Sequence, residues 1–403
     1  MKIAILNQPL ANRGDEAAHK AFVRTLAHAL PEAQIDVIFL YAQQELVDAM
    51  DVHEENVRYI ILPPPHHFMY RPVFYSLLLR HIRISFLHPS LHRFKKVLSK
   101  YDRVICAPGG ICMGGFMDWM HVWQLLVAKV LKKPIFYWGR SIGPFSEETY
   151  KKKVFKKYSY ELLHYFSYIS LRDTKSVDIA KAAGLNVDEV VDSAFLETPT
   201  TQIPEIIQTE IANNDYIVFV PNELTWHFRY KNVPQDRIDN FYLKLLDIIV
   251  INYPNAKIVM LPQTYKSIIN DYGYFEKLKH LSKNQNIIVV DEEQNSDIQQ
   301  TIIAGAKLVV GARYHSIVFA INNNIPFISL SYEHKMSGLL EKLNMTENML
   351  EIQDIFDSDD GEERNNVLEG FSKLIGSIGN NVDSRLAKQI IFEGFENFIS
   401  KVK

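Results

Sequence analysis

Short apolar, β-branched runs recur along the chain, and the stretches between them carry apolar residues at three- to four-residue spacing. In the first half the runs are KIAIL (2–6), IDVIFL (35–40), VRYIIL (57–62), RVICA (103–107), PIFYW (134–138), YISL (168–171) and EVVD (189–192). Ala18, Phe22, Leu26, Ala29 and Leu30 mark a helical face after Asp15, and residues 150–165 read as a Lys-rich amphipathic helix. Such alternation predicts βαβ units around a parallel sheet. A polar stretch, 197–215, reads as a linker. The pattern then restarts with YIVFV (216–220), AKIVML (256–261), NIIVV (286–290), KLVVG (307–311) and PFISL (326–330), separated by helices over 237–252, 296–304 and 316–321. The expected fold is therefore α/β: two doubly wound, Rossmann-like parallel-sheet domains facing a cleft. They span 1–196 and 216–382, and a final helix, 383–403, packs back on the first. Ligands in such a fold belong at the C-terminal ends of strands, at the topological switch points.

The 403 residues suffice for two cores, and 47% apolar with 23% charged residues excludes a disordered chain. Apolar runs such as 74–79 fall far short of the roughly 18 residues that span a bilayer, and MKIAILNQPLANRGDE lacks a signal-peptide core. A cytoplasmic protein is expected. Cys106 and Cys112 stand at a C-x5-C spacing that matches neither zinc nor disulfide patterns, so no metal is expected. The net charge of −3 hides an asymmetry. Segment 56–101 has no acidic residue but contains Arg58, Arg71, Arg80, Arg83, Arg93, Lys95, Lys96 and Lys100, together with His66, His67, His81, His88 and His92. It suits anionic headgroups or a lipid-linked pyrophosphate at a membrane surface, and equally a basic helix face balancing acidic neighbours. Nucleic acid is not an expected partner, since no nucleic-acid motif accompanies the charge.

The most informative segment is GARYHSIVFAINNNIPFISLSYEHK, 311–335. Gly311 ends a strand, Arg313 and His315 follow in a turn, and Ser316 opens a helix whose free N–H groups favour an anion. A guanidinium grips phosphate or carboxylate with two hydrogen bonds, and an imidazole moves a proton. Lys335 follows the next strand, so Arg313, His315 and Lys335 are placed to surround one small dianion. Arg313 equally suits a structural salt bridge, and His315 a helix cap.

With these motifs the chain resembles the polysaccharide pyruvyl transferase family, through Asn12-Arg13-Gly14-Asp15-Glu16, APGGI (107–111), GRSIGPF (139–145), SLRDTKS (170–176), RYHS and SYEHK. The resemblance implies a two-domain GT-B-like architecture and transfer of the enolpyruvyl carbons of phosphoenolpyruvate to a sugar of a surface-polysaccharide precursor. It also implies closure of a pyruvate ketal with release of phosphate and no cofactor. It puts Arg172, His315 and Lys335 on positions that bind the donor's phosphate and carboxylate, with Arg313 and Ser316 beside them. Protonating the methylene carbon requires an acid, for which His315 is the candidate, and the attacking hydroxyl requires a base, Asp15 or Glu223. Asp15 also reads as a helix N-cap. The acceptor, a sugar carried on a lipid diphosphate, is expected near Asn12, Gly109, Gly110, Asp118 and Arg140. The family carries a third consecutive glycine where this chain has Pro108, so APGGICMGG reads as shaping the acceptor side and not as a phosphate loop.

Trp226, His227, Phe228 and Tyr230 form an aromatic cluster that suits stacking on a sugar ring or hinge packing. Gln263 and Tyr265 follow a neighbouring strand. Two other functions stay open. Glu333 and Glu341 stand at the E-x7-E spacing of retaining nucleotide-sugar glycosyltransferases; Asp357-Ser358-Asp359 reads as D-x-D but falls in an acidic loop and not at a strand end, which argues against a metal-dependent glycosyltransferase. A noncatalytic glycan-binding assembly component would keep the fold without the chemistry.

Overall fold

The computed structural model describes all residues except 41, 63–68, 213–214, 228, 266–269, 292–293, 357–361 and 380. His66, His67, Phe228 and the D-x-D run at 357–359 therefore lie outside the described residues. The chain divides into two compact units, the first made of residues 1–10, 15–197 and 388–403, the second of 11–14 and 198–387.

In the first unit the strands are β1 (Lys2–Leu6), β2 (Gln34–Phe39), β3 (Val57–Ile61), β4 (Arg103–Cys106), β5 (Gly109–Gly114), β6 (Ile135–Gly143), β7 (Tyr168–Leu171) and β8 (Asp188–Glu189). They pair in parallel in the order β3-β2-β1-β4-β6-β7-β8, with β5 alongside β6. Central strands buried on both faces explain the unbroken apolar runs. The strand read over 134–138 runs on through Gly143, so that most of GRSIGPF lies within β6. The glycine-rich segment supplies strand β5, where a Cβ on Gly114 would lie 2.4 Å from the Gly143 carbonyl oxygen. EVVD yields only the two-residue β8. Asp192 then caps a 3-10 turn, its Oδ1 accepting from the Ala194 N–H at 3.0 Å.

The basic segment folds as helix Tyr70–Leu78, a 3-10 helix Ile82–Leu87 and helix Pro89–Leu98, which proline opens at its first position. Val73, Leu77, Leu91, Phe94 and Leu98 bury into one core with Trp119 and Trp123. The distant helix Arg385–Val402 completes the opposite layer. Its Phe398 ring lies 4.8 Å from Trp138 and 5.8 Å from Phe22.

The second unit holds β9 (Tyr216–Val220), β10 (Lys257–Met260), β11 (Ile287–Val289), β12 (Leu308–Gly311), β13 (Phe327–Ser331) and β14 (Met349–Glu351). All are parallel, in the order β11-β10-β9-β12-β13-β14. β14 had no separate signal in the sequence. Within the stretch read as linker, Glu205–Ile211 is helical. Strand order reverses between β1 and β4 in the first sheet and between β9 and β12 in the second, and these are the switch points of the two units. Among the described residues no helix is long and apolar enough to cross a membrane.

Candidate functional site

At the switch point of the second sheet, the Ala312 N–H donates to the Val220 carbonyl at 2.8 Å, locking the end of β12 against that of β9. Arg313 then caps helix Tyr314–Asn322 in an extended backbone conformation. The helix thus starts two residues before Ser316, and His315 sits in its first turn. Ser316 is fully buried and its Oγ donates back to the Arg313 carbonyl at 2.6 Å, beneath Gly311, where a Cβ would lie 2.1 Å from that oxygen. The expectation that Ser316 binds donor is corrected: its hydroxyl fastens the turn.

Arg313 is buried and ion-paired with Asp271, whose other oxygen accepts from the N–H groups of Gln263 (2.9 Å) and Thr264 (3.0 Å). Burial works against the guanidinium charge, but the Asp271 carboxylate outweighs it and holds Arg313 protonated. Lys335 comes from the next strand. It is the second residue of helix His334–Lys342, with Nζ 2.5 Å from Glu333 Oε1 and 5.8 Å from the Tyr314 ring. Tyr314 is in turn 5.0 Å from the His315 ring. Burial opposes ionisation of Glu333, yet Lys335 and the Tyr332 hydroxyl beside it keep its carboxyl below the usual range.

The expected acceptor aromatics stand in this same cluster. The Trp226 indole N–H donates to Asn222 Oδ1 at 2.9 Å, and its ring lies 5.6 Å from the Arg313 guanidinium and 6.4 Å from Tyr332. His227 is 5.9 Å from Tyr332. Burial lowers its pKa, Lys335 and Arg229 lower it further, and Glu333 opposes them. Glu223 lies half-buried in the same turn.

Residues 11–14 belong to this unit. Asn12 is held by a bridge to Thr264, and its Oδ1 accepts from the Gly14 N–H at 2.8 Å. Asn12 therefore does the capping work considered for Asp15, which lies two residues into the helix Arg13–Ala29. The Arg13 guanidinium stacks 3.6 Å over the Tyr265 ring, and the Arg13 backbone N–H donates to the Gln263 carbonyl at 2.8 Å. Gly14 lies directly on the His315 imidazole, since a Cβ added there would fall 1.8 Å from Nδ1. The glycine of NRGDE is a packing requirement of the histidine. Gly14→Ala is expected to cost about 1–3 kcal/mol and to displace the imidazole. Chemical denaturation with a ¹H–¹⁵N histidine spectrum checks both effects, and an unmoved His315 resonance would contradict the packing argument.

The first unit uses its switch point differently. Arg140 is fully buried there. Its Nη1 donates to the carbonyls of Ala107 (2.8 Å) and Asn7 (3.1 Å), its Nε to Gly110 (3.4 Å), and its Nη2 approaches Cys112 Sγ at 3.1 Å. A guanidinium so enclosed cannot hold an acceptor, which corrects that expectation. Gly109 serves the same plug, because a Cβ there would lie 2.9 Å from Pro9 and 3.2 Å from Arg140 Nη2. Gly110 contributes the carbonyl already named. Arg172, expected as a donor cation, is paired with the buried Asp192, and its Nε reaches Ser141 Oγ at 3.4 Å. Asp118 is an exposed cap whose Oδ1 accepts from the His121 N–H at 3.0 Å. Asp15 is half-buried, and its carboxylate adds to the field at Arg140.

One group of metal-ligand atoms occurs among the described residues: Cys112, Asp118 and His121, within 4.8 Å of one another. The Arg140 guanidinium at Cys112 and the positive end of helix Trp119–Val130 both disfavour a cation there. Sequence reading missed Asn222, Asp271 and Tyr332, which assemble the second unit's site. Only Tyr332 had a signal, as the residue before Glu333 in SYEHK.

Both sheets and their strand orders define a GT-B-like α/β protein. Solved structures share this architecture at low identity. The UDP-GlcNAc 2-epimerase of Neisseria meningitidis, solved with UDP-GlcNAc, is 14% identical with a TM-score of 0.58, over 98% of this chain and 100% of that one. The UDP-GlcNAc 2-epimerase of Methanocaldococcus jannaschii is 11% identical with a TM-score of 0.59, over 98% and 100%. UGT2 of Phytolacca americana is 10% identical with a TM-score of 0.52, over 98% and 99%. Over residues 12–334 the sequence matches the polysaccharide pyruvyl transferase family, and the chain belongs to it. It is also 24% identical to the amylovoran biosynthesis protein AmsJ of Erwinia amylovora, over 93% of this chain and 94% of that protein.

Proposed function

We propose that the protein transfers the pyruvate carbons of phosphoenolpyruvate to a sugar of a polysaccharide precursor, closing a ketal and releasing phosphate. The position of Arg313 and His315 after β12 and of Lys335 after the adjacent strand β13 carries this reading. Family membership and the biosynthetic role named for AmsJ support it. In this reading the His315 imidazolium protonates the methylene carbon, giving an oxocarbenium-like centre at the carbon that bears phosphate. A sugar hydroxyl adds there and passes its proton to Asp15 or Glu223. The C–O bond to phosphate then breaks, the leaving phosphate taking up the proton held by that base, and a second hydroxyl closes the ring, its proton restoring the His315 imidazolium. No electrons are gained or lost. Arg313 and Lys335 take the two anionic ends of the donor, Lys335 exchanging Glu333 for the ligand. The sugar is proposed to arrive on a lipid diphosphate.

A thermal-shift titration with phosphoenolpyruvate, UDP and GDP tests the donor. At a hundredfold excess over Kd, phosphoenolpyruvate is expected to stabilise the protein by about 2.7 kcal/mol, with the shift lost in Lys335→Ala. Stabilisation by a nucleoside diphosphate instead would favour the glycosyltransferase alternative raised by Glu333 and Glu341.

A further inference from the structure

The basic segment of the first unit has an outer face that the chemistry above does not use. Helix Tyr70–Leu78, the turn Ile82–Leu87 and helix Pro89–Leu98 are anchored from below. Ser85 Oγ accepts from the Trp123 indole N–H at 2.9 Å, and the Tyr150 hydroxyl donates to the Leu78 carbonyl at 3.2 Å. Yet Tyr70, Tyr75, Leu79, Ile84 and Leu87 point outward, Leu79 being 61% and Leu87 84% exposed. Arg71, Arg80, His81, Arg83, His92, Arg93, Lys96 and Lys100 are exposed among them, and no acidic residue occurs from 56 to 101. A cavity of about 400 Å³ opens beside this face, lined by Arg80, Ile82, Lys129, Val130, Lys157 and Tyr158. Glu161 at its wall is already paired with Lys129 at 2.7 Å.

We propose that this face docks on the surface of an anionic phospholipid bilayer, with Leu79, Ile84 and Leu87 entering the interface and the arginines and lysines meeting headgroup phosphates. Charge decides between occupants. A second copy would set one cationic face against another, and a nucleic acid would leave the exposed leucines without a counterpart. A bilayer with anionic headgroups answers both features, since buried apolar area and cation–lipid attraction act together there.

Co-sedimentation with phosphatidylcholine vesicles, with and without phosphatidylglycerol, tests the docking. The protein is expected to bind only vesicles containing phosphatidylglycerol, and to leave them as salt is raised. Leu79→Ser/Leu87→Ser and Arg80→Glu/Arg83→Glu/Arg93→Glu should each lower partitioning about tenfold or more. All five positions are exposed, so unchanged melting temperatures show intact folds. Equal binding to both vesicle types, no binding by the wild type, or wild-type partitioning by either variant would overturn the proposal. So would a dimer in lipid-free solution that Leu79→Ser/Leu87→Ser dissolves. The readout needs no turnover, so it is separate from the test of the donor.

Discussion

Replacing His315 by Ala is expected to lower phosphate release from phosphoenolpyruvate by 10²–10⁴-fold, the usual range for removing a positioned general acid. The imidazole is seated by Gly14 beneath it and Tyr314 beside it, so its orientation is fixed before any ligand enters. If its role is proton delivery to carbon, kcat should fall far more than donor affinity. Lys335→Ala should do the reverse, raising KM for phosphoenolpyruvate with a smaller loss in kcat, because that lysine holds the ligand and moves no proton. In D2O the wild-type product should carry one deuterium in its methyl group. Release by His315→Ala within threefold of wild type would exclude the histidine as the acid.

Acidification from pH 7 to pH 5 is expected to destabilise the first unit, and His19 alone should contribute about 2 kcal/mol. This side chain is fully buried, with Nε2 2.9 Å from the Tyr59 hydroxyl. Burial first, then the charges of Lys20 and Arg24, push its pKa down to about 3. An unfolded histidine takes a proton near pH 6.5, so below that value the unfolded state binds more protons than the folded one. Stability is therefore full above pH 6.5 and drains away as pH falls towards 3. His121, buried beside Cys106, is shifted in the same direction by burial and by Arg140. Denaturation curves at the two pH values check this against His19→Gln, whose loss should be smaller by about the same 2 kcal/mol. Equal losses in both proteins would mean that His19 does not resist protonation.

The alternation of apolar runs with helical periods was enough to read both sheets, because central strands buried on both faces leave an unbroken hydrophobic signature. Two of the edge strands lack it. β8 and β14 are two and three residues long and only partly buried, so neither stands out from a loop. β5 was hidden by its glycines, which favour a loop by propensity and a strand only once Gly143 lies against them. In the site, RYHS and SYEHK were visible because a cation directly after an apolar strand is unusual. Their carboxylate partners were not. Asp271 lies 42 residues before Arg313, and Asp192 lies 20 after Arg172. Pairings across such separations follow from strand order, which a single sequence does not state. Arg140 misled for the same reason: next to Ser141 and Gly143 it resembles a ligand-binding arginine, while its acceptors are backbone carbonyls contributed by three other segments.

The seating of Phe395 and Phe398 on Trp138 and Phe22 has a consequence for the order in which the protein matures on the ribosome. The second unit occupies residues 11–14 and 198–387, so residues 388–403, which belong to the first, are synthesised only after all of it. Throughout that interval the side of the first sheet carrying Trp138 lacks its cover. The earlier-made half of the molecule thus finishes last, and in the meantime it is the half in need of protection by a chaperone from association with other nascent chains.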